Sequence, residues 1–278
     1  MSTLAAAALA LCFGPPQPVS IEGYRGHAME PFITRDGATL FFNSRNGPHD
    51  QTDMFWAERI DDLRFRFRGP VTGGNSNALD GVPSLSRDGT FAFISTRAYE
   101  AQFATIWTGR WDGRTIGALR LERALAPGRP PQFNMDLEIS ADGARLYFTD
   151  NVWAAPMPRT SDLRLAVRQN GQWRRAEPAD AWFTRINTRA LEYAPATSPD
   201  ERELFFTRLT PRFLQPPRLE IMVATRARAD TAFSAPARVA SIQGFVEAPS
   251  VAPDGALYFH AKIDEMHLLM RAPRHCPL

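Results

Sequence analysis

The octapeptide Glu30-Pro-Phe-Ile-Thr-Arg-Asp-Gly37 occurs, with variations, five times in the chain. The other copies are Val82-Pro-Ser-Leu-Ser-Arg-Asp-Gly89, Asp136-Leu-Glu-Ile-Ser-Ala-Asp-Gly143, Ala194-Pro-Ala-Thr-Ser-Pro-Asp-Glu201 and Ala248-Pro-Ser-Val-Ala-Pro-Asp-Gly255. Their aspartates, at positions 36, 88, 142, 200 and 254, are separated by 52, 54, 58 and 54 residues. A phrase that returns at nearly constant spacing predicts an architecture of repeated structural units.

The residues around each copy predict the strands of one unit. Asp can hydrogen-bond its own backbone and Gly accepts a positive φ, so the end of the phrase predicts a tight turn. A short aromatic strand follows each turn, at residues 39–42, 90–93, 145–148, 203–206 and 256–259. A third apolar run comes next, and Asp112-Gly113 and Asn170-Gly171 mark turns into a fourth strand in units two and three. Four antiparallel strands per unit are typical of a propeller blade.

The N-terminal segment is predicted to complete the last unit, which stops after its third strand. Phe13-Gly-Pro-Pro-Gln-Pro-Val19 is similar to Phe233-Ser-Ala-Pro-Ala-Arg-Val239, the fourth strand of unit four. If residues 13–19 supply the missing strand, the ring closes and no strand edge is left open. The predicted fold is therefore all-β, a five-bladed β-propeller of four-stranded antiparallel blades closed by the N-terminal strand. It forms a single domain over residues 12–278, with repeats that begin near residues 30, 82, 136, 194 and 248.

Two cysteines lie at opposite ends of the chain, and the predicted closure brings them together. Cys12 precedes the closing strand, and Cys276 follows the third strand of unit five. In an exported protein such a pair predicts a disulfide, and two free thiols are the alternative. Residues 4–11 form a short apolar run, so residues 1–11 are interpreted as a signal peptide or a disordered tail. The expected location is periplasmic or secreted.

Composition and motifs exclude several classes of function. The 32 basic and 30 acidic residues give a net charge of +2 and are scattered along the chain, so we expect no nucleic-acid partner. No stretch is long and apolar enough to span a membrane. The histidines, at positions 27, 49, 260, 267 and 275, lack metal-ligand spacing and are interpreted as structural or surface residues. With no motif for a nucleotide, zinc or a redox group, we expect no cofactor, no metal and a monomer.

The repeats resemble the WD40-like repeats (PD40) of bacterial Tol-type propellers. In that family an acidic residue, a proline, a serine and Asp-Gly precede an aromatic strand, and the match extends from Phe13 to the end of the chain. Asn75-Ser-Asn-Ala-Leu-Asp80 and Asn187-Thr-Arg-Ala-Leu-Glu192 resemble the approach to the repeat in one subgroup. Leu137, in place of proline, and Glu201, in place of glycine, depart from the pattern. The resemblance implies a binding platform without implying a particular partner.

Charged residues are predicted to surround one mouth of the channel. The first strand of each blade lines the channel, so residues at its start lie at the mouth. Acidic residues occur there in every unit: Glu30, Asp80, Asp136, Glu192 and Glu247. The second strand returns to the same face, and its end carries Arg45, Arg97, Asp150, Arg208 and Lys262. In four units an acid therefore lies near a base, and structural ion pairs explain that arrangement as readily as a binding site does.

Unit three differs from the other four. It combines Asp136, Glu138 and Asp150 without a basic residue at the equivalent place. Clustered carboxylates bind a cation or hold a proton at a raised pKa, so we expect a ligand site at this mouth, biased toward unit three. The alternative is that strand alternation sends Glu138 elsewhere and Arg145 neutralises the remaining carboxylates.

Two functions stay open. The resemblance favours a non-catalytic exported platform that binds an unknown protein or saccharide at a propeller mouth. The alternative is a glycoside hydrolase or carbohydrate-binding protein, because five-bladed glycosidases also place carboxylates on their innermost strands and hydrolysis requires two of them. Glu192 and Glu247, each shortly before a proline, resemble the acid position of such enzymes.

Overall fold

The computed structural model describes residues 3–46, 51–155 and 157–276. Strands make up 53% of the chain and helices 8%, so the all-β part of the prediction is confirmed. Strands β1 (Gln17–Pro18) and β2 (Ser20–Glu22) precede the first repeat. The helices are α1 (Thr3–Ala10), α2 (Tyr99–Gln102) and two short 3-10 helices, Arg123–Leu125 and Glu177–Phe183. Among the described residues, no helix is long and apolar enough to cross a membrane.

Each sequence repeat forms an antiparallel sheet in which consecutive strands are neighbours. Unit one contains β3 (Met29–Ile33), β4 (Thr39–Asn43), β5 (Met54–Arg59) and β6 (Arg64–Pro70). Unit two contains β7 (Asp80–Leu85), β8 (Thr90–Ser95), β9 (Ile106–Trp111) and β10 (Ile116–Leu121). Unit three contains β11 (Gln132–Ile139), β12 (Arg145–Ala154), β13 (Met157–Gln169) and β14 (Gln172–Arg175).

The remaining strands belong to units four and five. Unit four contains β15 (Leu191–Thr197), β16 (Glu203–Arg212), β17 (Gln215–Thr225) and β18 (Ala237–Arg238). Unit five contains β19 (Val246–Val251), β20 (Leu257–Ile263) and β21 (Met266–Ala272). A parallel bridge between Ser161 and Leu191 joins units three and four into one larger sheet.

The Asp-Gly phrase forms the predicted turn between the first and second strands. In unit one, Asp36 accepts hydrogen bonds from the Thr34 hydroxyl (2.5 Å) and the Ala38 N–H (3.0 Å), and Gly37 has a φ of 72°. In unit four, Glu201 replaces the glycine and still adopts a φ of 56°. The departure from the repeat pattern therefore leaves the turn in place, although a side chain in that region costs backbone energy.

The aromatic second strands pack between neighbouring units and form the core. Phe41 of unit one and Phe91 of unit two meet edge to face, with ring centroids 5.2 Å apart. Unit five packs against unit one in the same way, because Tyr258 belongs to one buried cluster with Phe42 and Phe65. Side chains on both faces of each sheet are thus buried against a neighbouring sheet, which is why the second strands are rich in aromatic and aliphatic residues.

The N-terminal segment lies against unit five, as the sequence indicated. Strand β1 pairs antiparallel with β21, and Phe13 forms an isolated bridge with Arg274. Cys12 and Cys276 form a disulfide across a sequence separation of 264 residues. Strand β2 continues onto the outer edge of unit one, where it pairs parallel with β6. The chain therefore joins its last unit to its first.

Helix α1 corrects one of the two interpretations of residues 1–11. The described part of this segment is helical and packs against β17 and β18, so it is not a disordered tail. Ala6, Leu9 and Ala10 are buried, and the last two belong to the apolar cluster that contains Phe13 and Phe205. Burial of these small apolar side chains favours the ordered helix. The signal peptide stays a prediction.

Candidate functional site

The first strands of the five units surround a narrow channel. Each of β3, β7, β11 and β15 contacts the first strand of the next unit, and β19 contacts β3. Every one of these strands contains a register shift, which is the mark of a β-bulge. The channel, whose volume is about 20 Å³, is lined by the residues at these bulges: Glu30, Val82, Asp136, Ala194, Ala248 and the residues that follow each.

The position of the bulge decides which acidic residues face the channel. Counted from the repeat proline or from Leu137, Glu30 and Asp136 are one residue upstream and Glu247 is two. Asp80 and Glu192 are three residues upstream, so they are not equivalent to Glu30. The sequence interpretation, which treated all five acids as one repeated feature, was wrong in register. The signal was present in the sequence, as the number of residues between each acid and the proline.

Asp80 and Glu192 form the predicted ion pairs. Arg97 donates to Asp80 at 2.6 Å, and Arg208 donates to Glu192 at 2.7 Å. Both carboxylates are completely buried, and each also accepts a hydrogen bond from a nearby hydroxyl. Since these acids are fully satisfied inside the protein, the geometry favours the structural interpretation for units two and four.

Glu138 lies deeper in the channel than the mouth cluster. It pairs with Arg35 of unit one at 2.9 Å, and the same guanidinium donates to the backbone carbonyl of Thr197 at 3.1 Å. Both side chains are almost completely buried. Glu138 follows Asp136 by two residues, which is roughly 7 Å along the strand, so it lies further from the mouth. Glu138 therefore lines the same channel as Asp136, and strand alternation does not send it elsewhere, but its charge is matched by Arg35.

Asp150 is also paired, contrary to the interpretation that unit three lacks a cation. Arg164 lies 3.1 Å from the Asp150 carboxylate, and Arg175 donates bidentate hydrogen bonds to both of its oxygens. The two arginines lie on β13 and β14. The sequence pattern did not predict that their side chains contact Asp150. Arg145, proposed to neutralise the cluster, pairs with Glu201 instead, at 2.8 Å.

Asp136 is a buried carboxyl group at the channel axis. Its side chain lines the channel, the residue is 3% exposed, and its Oδ2 atom has no hydrogen-bond partner among the described residues. Burial, reinforced by the nearby Glu30 and Glu247, raises the pKa of Asp136 well above its ordinary value. The protonated form is therefore favoured.

Glu30 lies beside Asp136 at the mouth of the channel. Its carboxyl group accepts a hydrogen bond from Asn46 at 2.6 Å, and Asn43 is a second amide partner. Burial raises the pKa of Glu30 despite the opposing effects of His260 and the two amides, and the charge of Glu247 adds to the rise. Two of the three carboxyl groups thus have raised pKa values.

Glu247 has the opposite electrostatic environment. Tyr193 donates a short hydrogen bond to it, and the Nε2 atom of His260 lies 3.2 Å from its carboxylate. The Nδ1 atom of His260 accepts a hydrogen bond from the Glu30 N–H (3.1 Å), so Nε2 carries the proton that points at Glu247. Burial alone would raise the pKa of Glu247, but these contacts outweigh it and lower the pKa.

A pocket of about 380 Å³ opens beside Glu247, between units five and one. It is lined by Met29, Arg45, Asn46, Phe245, Glu247, Lys262, Glu265 and His267. Burial and the neighbouring His260 and His27 lower the pKa of His267 to about 4, so it is neutral at pH 7. The volume falls within the range of small-molecule sites.

Arg45 and Lys262 therefore lie at the pocket rather than at the centre of the channel. Lys262 forms an ion pair with Glu265 at 3.1 Å, and it is His260 that faces Glu247. No group of three or more His, Cys, Asp or Glu side chains in the described ranges is suited to hold a metal ion. His49 lies outside the described residues.

Sequence reasoning missed Tyr193 and His260, which set the ionisation of Glu247. Tyr193 precedes the repeat phrase of unit four, and His260 follows the aromatic strand of unit five. No other unit has a tyrosine or a histidine at the equivalent position. This departure from the repeat is the feature of the sequence that could have identified the two residues. Together the site offers one carboxyl group with a lowered pKa next to two with raised pKa values, an arrangement suited to acid and base catalysis.

The comparisons with known proteins concern the fold. The chain matches no protein-family model and no curated protein, so the resemblance to Tol-type repeats stays a prediction. Solved structures of propeller fold are similar to it along nearly its whole length. A family 117 glycoside hydrolase of the marine bacterium Zobellia galactanivorans has a TM-score of 0.61 and 10% identity, over 95% of this chain and 91% of the other.

Two further structures extend the comparison. The catalytic domain of the GH62 α-L-arabinofuranosidase of Coprinopsis cinerea has a TM-score of 0.53 and 7% identity, over 95% of this chain and 98% of that domain. TolB from Acinetobacter baumannii has a TM-score of 0.49 and 12% identity, and the match covers 90% of this chain but 55% of TolB. The two glycoside hydrolase structures, whose TM-scores exceed 0.5, establish the propeller fold at these identities and leave the function to the site.

Proposed function

We propose that the protein is a five-bladed propeller, closed between its first and last blades, that binds a saccharide at the channel mouth and hydrolyses a glycosidic bond. Closure is supported by the ring of contacts among first strands, by the pairing of β1 with β21 and by the disulfide. The disulfide also supports export to an oxidising compartment.

In the proposed reaction Glu30 and Glu247 have different roles. Glu30, whose pKa is raised, donates its proton to the leaving glycosidic oxygen. Glu247, whose pKa is lowered and which lines the pocket, accepts a proton from the water that attacks the anomeric carbon on the opposite side of the sugar, as the bond to the leaving oxygen breaks. Asp136 stays protonated below them and limits the negative charge of the cluster.

One observation carries the proposal: the oxygen of Asp136 that lacks a protein partner, buried at the axis beside Glu30 and Glu247. If each of these acids formed an ion pair with an arginine, as the acids of units two and four do, we would interpret the cluster as structural. Glycoside hydrolases of families 117 and 62 share the fold, which places this chemistry among those that the fold supports. This favours a saccharide ligand over a general protein-binding platform.

The test is hydrolysis of a panel of 4-nitrophenyl pentosides and hexosides by the purified protein. We expect turnover of at least one glycoside, and a loss of about 10²- to 10⁴-fold in kcat/KM in Glu30→Gln and in Glu247→Gln. Glu220→Gln is the matched control, since Glu220 is a buried carboxylate that pairs with Arg218 and Arg238 at the outer strands. Absence of both turnover and calorimetric binding across pentoses and hexoses would contradict the proposal.

A further inference from the structure

Two long hairpins distinguish units three and four from the other units. Asp150 on β12 and Asp162 on β13 face each other at the mouth, and beyond them the two strands continue over residues 151–154 and 157–161. Beyond the equivalent pair Arg208 and Glu220, β16 and β17 continue through residues 209–219. Four strand residues on each side extend a hairpin by roughly 13 Å. The hairpin of unit five, by contrast, turns directly after Ile263.

The tips of both hairpins are apolar and exposed. Phe213 and Leu214 are 90% and 88% exposed, and they occupy the turn of the second hairpin. Trp153 and Met157, at the tip of the first hairpin, are 45% and 37% exposed. Large apolar side chains at such exposure on two adjacent protrusions are characteristic of an interaction site rather than of scattered surface residues.

The charge of the two tips is positive. Arg159 and Arg212 are exposed, neither 151–161 nor 209–219 contains an acidic residue, and Arg218 pairs with Glu220 just beyond the second range. The loop that leads into β15 adds the exposed Arg185 and Arg189. Apolar side chains at the tip with arginines around them match the layers of an anionic bilayer, in which acyl chains lie beneath charged headgroups.

Exposure and backbone chemistry favour a lipid surface over a protein. Phe213 and Leu214 are almost fully exposed, so they suit a fluid layer that closes around them. Pro211, Pro216 and Pro217 have no backbone N–H, which reduces the number of donors that lose water on insertion. From these features we infer that the hairpins of units three and four dock the protein on an anionic membrane surface.

The experiment is flotation of the full chain with neutral phosphatidylcholine vesicles and with vesicles that contain phosphatidylglycerol. We expect binding to the anionic vesicles that weakens as salt is raised. Phe213→Ser/Leu214→Ser should lower the partition coefficient about tenfold or more. Arg159→Gln/Arg212→Gln should lower it roughly fivefold per arginine, and only on anionic vesicles.

Leu119→Ser is the matched control, because Leu119 is an exposed leucine on β10, 36% exposed and remote from the tips. Its partition should equal that of the parent, and thermal melts should show that all variants are folded. Phe213→Trp should show a blue-shifted emission that brominated lipids quench. Equal binding to neutral and anionic vesicles, an unchanged partition of the tip variant, or a dimer that the tip variant abolishes would each overturn the inference.

Discussion

Asp136 combines burial at the channel axis with an oxygen that no described residue binds. Its neighbours differ in kind: Glu30 is held by amides, whereas Glu247 receives hydrogen bonds from Tyr193 and His260. The pKa values of Asp136 and Glu30 are therefore raised while that of Glu247 is lowered. The three carboxyl groups are distinguished by their burial and their hydrogen-bond partners, because residue type alone does not predict which pKa is raised and which is lowered.

The raised pKa of Asp136 predicts a pH dependence of stability. Between the ordinary carboxyl pKa and the raised one, the folded state binds a proton that the unfolded state has lost. Stability therefore falls as pH rises through this window, by up to about 1.4 kcal/mol per pH unit. Asp136→Asn mimics the protonated form, so its advantage over the parent should grow from pH 5 to pH 8. Urea unfolding at each pH measures it, and a constant difference would contradict the raised pKa.

The buried pair of Arg35 and Glu138 predicts a large effect of one substitution. Arg35→Met leaves the Glu138 carboxylate buried without its cation, which should lower the free energy of unfolding by about 3 to 5 kcal/mol. Arg59→Met is the control, since Arg59 and Asp62 form a half-exposed pair worth about 0 to 1 kcal/mol. Chemical denaturation compares them, and equal losses would show that Arg35 has no special structural role.

At the scale of elements, the bulge in every first strand is the decisive feature. Glu30, Val82, Ala194 and Ala248 each adopt a positive φ just before the repeat proline. The N–H groups of the bulge residues bond to the neighbouring unit, from Val82 to Asn43 and from Ala248 to Thr207. In units two and five the bulge thus satisfies its backbone N–H across a unit boundary, whereas in unit three the Asp136 N–H bonds to Thr149 of the same unit.

The element that joins the chain ends predicts a measurable contribution of the disulfide. Cys12→Ser/Cys276→Ser removes a cross-link over 264 residues, and the chain-entropy model gives a loss of about 5 to 6 kcal/mol. Guanidinium denaturation of the parent, with and without reductant, should reproduce the difference between parent and variant. A reduced parent as stable as the oxidised one would show that strand pairing alone holds the ends together.

At the scale of the whole molecule, each unit depends on its neighbours to bury its faces. Unit one packs Phe42 and Phe65 against Tyr258 of unit five, and Arg35 reaches across the axis to units three and four. Stability is therefore distributed around the proposed ring rather than held in one central core. The pocket beside Glu247 lies where the first and last units meet, so the site depends on closure.

Closure predicts the behaviour of a truncated chain. Deletion of residues 1–19 removes β1 and exposes the edge of β21, which should cause concentration-dependent association. Sedimentation velocity measures this, and the Cys12→Ser/Cys276→Ser variant, which keeps β1, should stay monomeric. A truncated chain that remained monomeric would argue that the edge of unit five needs no closing strand.

The sequence by itself determined the repeat, its strands and turns, and the placement of the N-terminal strand beside unit five. These features were predictable because turn chemistry is local and because five copies of one phrase reinforce a single register. The partnership of Arg97 with Asp80 and of Arg208 with Glu192 was also predictable, since antiparallel strands place their ends together.

Only the tertiary structure decided which acids form the site. Asp150 is neutralised by Arg175 from the fourth strand, and Glu138 by Arg35 from another unit, across distances that no local pattern encodes. Because the bulges shift the strand register by one residue, Glu30 and Asp136 line the channel, whereas Asp80 and Glu192 form ion pairs with arginines. Ionisation depends on burial and on partners, and both are properties of the folded protein rather than of the chain.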